Sequence, residues 1–288
     1  MRFQPLVLAG ILAFLPTVPV FAEAILAPAS TAADSAEIVM LSDIIKIGPL
    51  LEVFRLNGIA YASTLQISMF PDDGGPDWDR SVDAIYDPAR LRGAFDAALT
   101  AELSVDPAAV TEILAFFGSE RGQRIATLEV EALRTLLDTA AKEAAQVTVD
   151  KMTAARDPRI DLITRLIEAG DLFEMNVAGA LGGELAFAQG MTEAGAYGNQ
   201  MTEEQTLRDV WGQEEHIRAE TQAWLYAYLV LAYQPLQDAD LLAYIDFFES
   251  PAGQKLNAAL FVAFGKVFEQ VSHDLGLTAG GRILSNDI

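Results

Sequence analysis

Phe247-Phe248-Glu249-Ser250-Pro251-Ala252-Gly253-Gln254-Lys255-Leu256 repeats a stretch found 131 residues earlier, Phe116-Phe117-Gly118-Ser119-Glu120-Arg121-Gly122-Gln123-Arg124-Ile125. Five of the ten positions are identical and the last two change conservatively. Self-similarity at a fixed offset is a statement about architecture before any motif is weighed. The residue types describe a junction between helices: an aromatic pair ends one helix, the serine caps the next, and the glycine sits where another backbone can come close.

The chain beyond each copy is helical in its spacing. Leu256, Leu260, Phe264, Val267, Phe268, Val271 and Leu275 fall on one stripe, and six of the seven positions 131 residues upstream are apolar, the exception being Glu129 opposite Leu260. The repeat therefore predicts a long helix after each junction. Further starts are marked by a short polar residue followed by proline: Asp87-Pro88, Asp106-Pro107, Asp157-Pro158 and Ser250-Pro251. Proline at the first helical position has no N–H to lose, and the residue before it supplies an acceptor. A fainter echo pairs Phe54-Arg55-Leu56-Asn57 with Phe173-Glu174-Met175-Asn176 at an offset of 119, the difference being assigned to loop residues gained near Gly195–Gln200. Strand patterning is nearly absent; Thr64–Phe70 alternates briefly but continues a helical run. The expectation is an all-α bundle of two similar halves, residues 36–150 and 158–276, with a flexible segment at 23–35 and a frayed tail at 277–288.

The second junction, with the helices around it at 238–275, resembles the signature of a bacterial secreted family catalogued as domain of unknown function 2059, in which an aromatic pair precedes a Ser-Pro-x-Gly-Lys/Gln step. The first copy, about 106–144, departs from it where Glu120 replaces proline and Arg121 replaces alanine. The resemblance implies an all-helical fold and export, and no activity or catalytic residue.

The N-terminus points to export independently. Residues 1–22 carry one charge, Arg2, then an apolar run from Leu6 to Phe21 broken by Pro16 and Pro19, closing on Val20-Phe21-Ala22. Small residues of this kind are what a signal peptidase reads, with cleavage expected after Ala22 or, alternatively, after Ala24. The run is too short and too interrupted for a membrane anchor. With no cysteine in the chain, neither disulfides nor thiolate metal sites are available, so stability rests on a core for which 51% apolar residues suffice. Removing Arg2 leaves 18 basic against 41 acidic residues, a formal charge of −23 that makes nucleic acid and anionic head groups poor partners.

Candidate chemistry is sparse. Ser250 as a nucleophile would need a base, and His273 lies about 35 Å along the same helix at 1.5 Å per residue. His216 and Glu220 could share a metal on one helical face beside Glu214 and Glu215, but a zinc site wants at least three ligands. Asp72-Asp73-Gly74-Gly75-Pro76-Asp77-Trp78-Asp79 invites calcium without the spacing of the helix-loop-helix motif. The glycines between Gly179 and Gly190 lack the preceding strand of a phosphate cradle and suit close helix contact. No cofactor motif emerges. Trp224, Tyr226 and Tyr228 form an aromatic stretch that reads as a buried helix or as the lining of an apolar groove. The expected function is a non-enzymatic module of the cell envelope, binding a protein or an apolar ligand between the halves; the alternative is an envelope enzyme that uses carboxylates or a metal.

Overall fold

The computed structural model of the chain describes residues 35–70, 75–197 and 202–286. Residues 1–34, which include the stretch read as a leader, Asp72 and Asp73 of the acidic loop and residues 198–201 lie outside them. Among the described residues every element is a helix and there is no strand. In the first half these are α1 (Ser35–Ile44), α2 (Ile47–Met69), α3 (Gly75–Ile85), α4 (Pro88–Leu103), α5 (Pro107–Phe117), α6 (Glu120–Thr135) and α7 (Thr139–Ala154). The second half has α8 (Pro158–Ala169), α9 (Leu172–Glu193), α10 (Glu203–Trp211), α11 (Glu214–Tyr233), α12 (Asp238–Glu249) and α13 (Pro251–Asn286). No described helix is long and apolar enough to cross a membrane.

The proline-marked starts fall where the sequence puts them. Asp87, Asp106 and Asp157 accept from the backbone N–H of Arg90, Ala109 and Arg159 at 2.8, 3.0 and 2.9 Å, opening α4, α5 and α8. At both junctions the serine does two things: Ser119 Oγ accepts from Gly122 N and Ser250 Oγ from Gly253 N, each at 3.1 Å, while the hydroxyls donate to Phe116 O and Phe247 O at 2.6 and 2.7 Å. The glycines are equally constrained, since a Cβ on Gly122 would stand 2.3 Å from Phe116 O and one on Gly253 2.0 Å from Phe247 O.

The repeated glutamine has a part as well. Gln123 Nε2 donates to Phe117 O and to Ile44 O, the end of α1; Gln254 Nε2 donates to Phe248 O and to Ala169 O, the end of α8. Each glutamine thus ties two helix C-termini together, satisfying carbonyls that have no partner within their own helices. Of the two remaining identities, Phe116 stacks on Phe247, with ring centroids 4.1 Å apart and planes 15° from parallel, and Phe117 and Phe248 are buried in the core.

The halves interlock. Helix α4 lies on α13, and α11 lies along α6 and α7, so each half lends a helix to the other's long segment. One apolar core runs from Ile38 to Ala279 through both. Helix α9 approaches α13 closely: a Cβ on Gly190 would sit 2.1 Å from His273 O, and one on Gly276 2.1 Å from Phe187 O. Close helix contact is the expectation for the Gly179–Gly190 stretch, and Gly183 and Gly190 supply it.

Three expectations are corrected. The long helix predicted in the first half is two, because Asp138 inside the apolar run accepts from Ala141 N at 2.8 Å and starts α7 afresh, leaving Leu137 of the stripe 38% exposed. The echo at offset 119 does not join equivalent places: the left-handed residues opening α2 and α9 are Lys46 (φ 61°) and Asp171 (φ 49°), which sets those helices 125 residues apart and puts Phe54 well inside α2 but Phe173 in the first turn of α9. The tail is not frayed through 286. Helix α13 continues to Asn286, and its small residues Gly276, Ala279 and Gly280 let it settle against α9; the loss of helix propensity at glycine is offset by that contact.

Candidate functional site

The junction residues Phe116, Phe117, Ser119, Gly122, Phe247, Phe248, Ser250, Pro251 and Gly253 are brought together as a structural joint. Both hydrogen-bonding roles of the Ser250 hydroxyl are taken by Gly253 N and Phe247 O, so no proton is directed at a base. His273 pairs instead with Glu193, Nε2 to Oε2 3.0 Å. His216 and Glu220 make an i, i+4 pair at 3.2 Å on α11, and among the described residues no three side chains of metal-binding type converge. Asp77 of the acidic stretch pairs with Arg80, and Trp78 is buried with its ring edge-on to Phe70.

The candidate groove is filled. Trp224 and Tyr228 are 8% and 7% exposed and stack on each other at 5.3 Å, while the Tyr226 hydroxyl lies 2.9 Å from Thr164 Oγ1. The reason is the interlock: α11 is covered by α6, α7 and α9, so an apolar face all round meets protein on several sides.

Two carboxyl groups that sequence reasoning did not single out stand in more unusual settings. The first is Glu129, partly buried on α6. Tyr233 at the end of α11 and Tyr244 on α12 donate their hydroxyls to its Oε1 at 2.7 and 2.8 Å. Tyr233 is held in place by the cations beside it: Arg159 donates to Tyr233 O and Leu236 O, and Arg124 to Pro235 O, gathering the carbonyls at the end of α11. Burial pushes the Glu129 carboxyl above the usual carboxylate range, against the two tyrosine hydrogen bonds that pull it down. The sequence does carry a signal for it: Glu129 is the one polar residue on the stripe shared by both copies.

The second is Glu184 on α9, at a cavity of about 30 Å³ between the two halves. Tyr61 of α2 and Tyr86, just past α3, come from the first half; Glu184 and Phe187 of α9 and Phe268, Val271, Ser272 and Leu275 of α13 come from the second. Glycines position the rings. A Cβ on Gly58 would lie 2.1 Å from Tyr86 Cε1, and one on Gly183 2.0 Å from Phe268 Cε1. Burial pushes the Glu184 carboxyl up to about 7, and pushes both phenols up as well. Among the described residues the side chains of Glu184, Tyr61, Tyr86 and Ser272 make no hydrogen bond and Glu184 no ion pair. In the sequence Glu184 is the only charged residue between Glu174 and Glu193, an isolation that marks it.

No family model, no curated protein and no solved structure matches this chain.

Proposed function

We propose that the chain is an exported, non-enzymatic binding module of the cell envelope, descended from a duplicated helical unit, that takes a small ligand in the cavity between its halves. The observation that carries the reading is Glu184: a partly buried carboxylate with no protein partner, facing an aromatic-walled cavity. A half-buried carboxylate that no protein group partners is open to a ligand, and carboxyls raised by burial at a cavity gather at binding sites. Export is supported by the leader pattern at residues 1–22; duplication is supported by the five shared junction residues and their matched hydrogen bonds. Glu129 and Glu184 are the carboxyls an acid–base enzyme would use, but Glu129 does not line the cavity that Glu184 faces.

A thermal-shift screen of the mature protein against small neutral and charged organic molecules tests the reading. Stabilisation by at least one class is expected in the wild type and not in Ser272→Phe, which fills the cavity and whose folding circular dichroism checks. A wild type that no class stabilises, or a filled variant that responds equally, sinks it.

A further inference from the structure

The four oxygen-bearing side chains at the cavity have a common property. Glu184, Tyr61, Tyr86 and Ser272 line it from three sides, yet among the described residues none of their side chains is hydrogen-bonded. In a structure where serines and threonines commonly bond a carbonyl one turn back, four free side-chain oxygens around one space, three of them on half-buried residues, offer acceptors to a guest that donates several hydrogen bonds. The lining contains one carboxylate and no Lys, Arg or His, so the guest also carries positive charge. The long-range field of a chain with a formal charge of −22 draws cations toward it.

Size and valence narrow the class. A cavity of about 30 Å³ has room for a compact head of one or two heavy atoms, since one water needs roughly 10–15 Å³ on the same measure. A guanidinium is broad and planar, with five donors in a fixed fork. A quaternary ammonium has no N–H to offer the hydroxyls. A bare metal ion wants about six oxygens, whereas Phe187, Phe268, Val271 and Leu275 leave much of the wall apolar. A primary ammonium brings one charge, three N–H donors and an alkyl chain that such a wall accepts, and aromatic rings nearby favour a desolvated cation.

We propose that the cavity between α2, α9 and α13 binds the head of a primary alkylammonium ion, with Glu184 as its counter-ion and the hydroxyls of Tyr61, Tyr86 and Ser272 as its acceptors. The assignment rests on the binding-module reading above and specifies its ligand. It carries a pH dependence whose sign is set by Glu184. Its carboxyl is raised to about 7 by burial, and the cation needs it ionised, so affinity falls as pH drops through that value. The other titratable groups facing it are Tyr61 from α2 and Tyr86 after α3, both neutral in this range because burial raises them further. Helix α13 faces it with Ser272 alone among polar side chains lining the cavity; its neighbours His273 and Asp274 are engaged with Glu193 and Arg90, and Glu269 approaches Lys266.

Isothermal titration calorimetry of the mature protein with n-butylamine, n-butanol, tetramethylammonium and potassium chlorides separates the possibilities. Butylammonium alone should bind, about tenfold more weakly at pH 6 than at pH 8 by proton linkage at the raised carboxyl. Glu184→Gln should abolish binding, and Ser272→Ala should weaken it a few-fold while keeping the charge. The wild-type pH profile needs no variant to fold. Butanol binding as tightly as butylammonium, indifferent to pH and to Glu184→Gln, overturns the ammonium assignment and leaves the cavity as a neutral-ligand site. Tetramethylammonium or potassium binding in its place overturns it too. No binding by any probe overturns the assignment, and a flat thermal-shift screen on the same sample takes the binding-module reading with it.

Discussion

Glu129 is held by two hydroxyls and no cation, and its effect on stability has a definite sign. The folded protein keeps the Glu129 proton at a higher pH than the unfolded chain does, chiefly because burial disfavours the charge. Folding therefore takes up a proton in the window between the ordinary carboxylate value and the raised one. The contribution to stability is full below that window and is lost as pH rises through it. Glu129→Gln, which keeps an acceptor for Tyr233 and Tyr244, should flatten this part of the curve: urea midpoints measured from pH 4 to 8 should fall less steeply with rising pH in the variant than in the wild type. Parallel curves would show that the carboxyl titrates normally. The junction serines give a second residue-scale test. Ser119→Ala and Ser250→Ala should each cost about 1 kcal/mol, the usual worth of an N-cap, in chemical denaturation. No change at either site would mean that the caps at 3.1 Å carry no weight.

At the scale of elements, glycines in helices divide into those that enable contact and those that do nothing. A Cβ at Gly276 would meet the backbone of Phe187, so Gly276→Ala should force α13 from α9 and cost about 3 kcal/mol, the upper range for overpacking. Gly93 in α4 is exposed with nothing within 4 Å of a new Cβ, and Gly93→Ala should stabilise by about 0.5–1 kcal/mol through the unfolded chain. Thermal melts that order the two variants the other way would contradict the packing of α9 on α13. Helix boundaries were the most legible feature of the sequence, because Asp-Pro and Ser-Pro pairs act locally and leave no alternative. The break at Asp138 was not, since an aspartate in an apolar run is read as a polar outlier unless one knows that α7 must turn back along α11. The same limit hid the cavity. Tyr61, Tyr86, Glu184 and Ser272 come from four separate segments, and only the packing of α13 on α9, with α2 and α3 against α13, gathers them. Trp224 and Tyr228 show the converse: an aromatic stretch that the sequence leaves as core or groove is made core by tertiary packing.

If the chain is the duplicated unit proposed above, the whole molecule poses the question of why two similar halves make one protein rather than a self-paired dimer. Stacking of Phe116 on Phe247, residues in matched places, is the contact expected when copies of one surface meet across an approximate two-fold axis. A half pairing with a second copy of itself would preserve that stack. It would not preserve the environment of Glu129. Matched by helix ends and by the junction repeat, the places of Tyr233 and Tyr244 are held in the first half by Leu103 and Ile113, both fully buried. Two first halves would thus enclose two glutamates among aliphatic side chains with no donor, a penalty of the kind that selects one pairing over another. The glutamate and its tyrosines make the halves complementary instead of self-complementary, as a lone polar residue sets register in a coiled coil. Expressed separately as residues 23–156 and 157–288, the first fragment should lack a cooperative thermal transition, because α4 has lost α13 and α6 has lost α11. Mixing should restore a single transition and the near-ultraviolet signal of Trp224 stacked on Tyr228. In a first fragment carrying Glu129→Leu the penalty against self-pairing is gone, and sedimentation should detect a homodimer that the unaltered fragment does not form. A stable homodimer of the unaltered fragment, or a variant that stays monomeric and unfolded, would show that something other than Glu129 decides which halves meet.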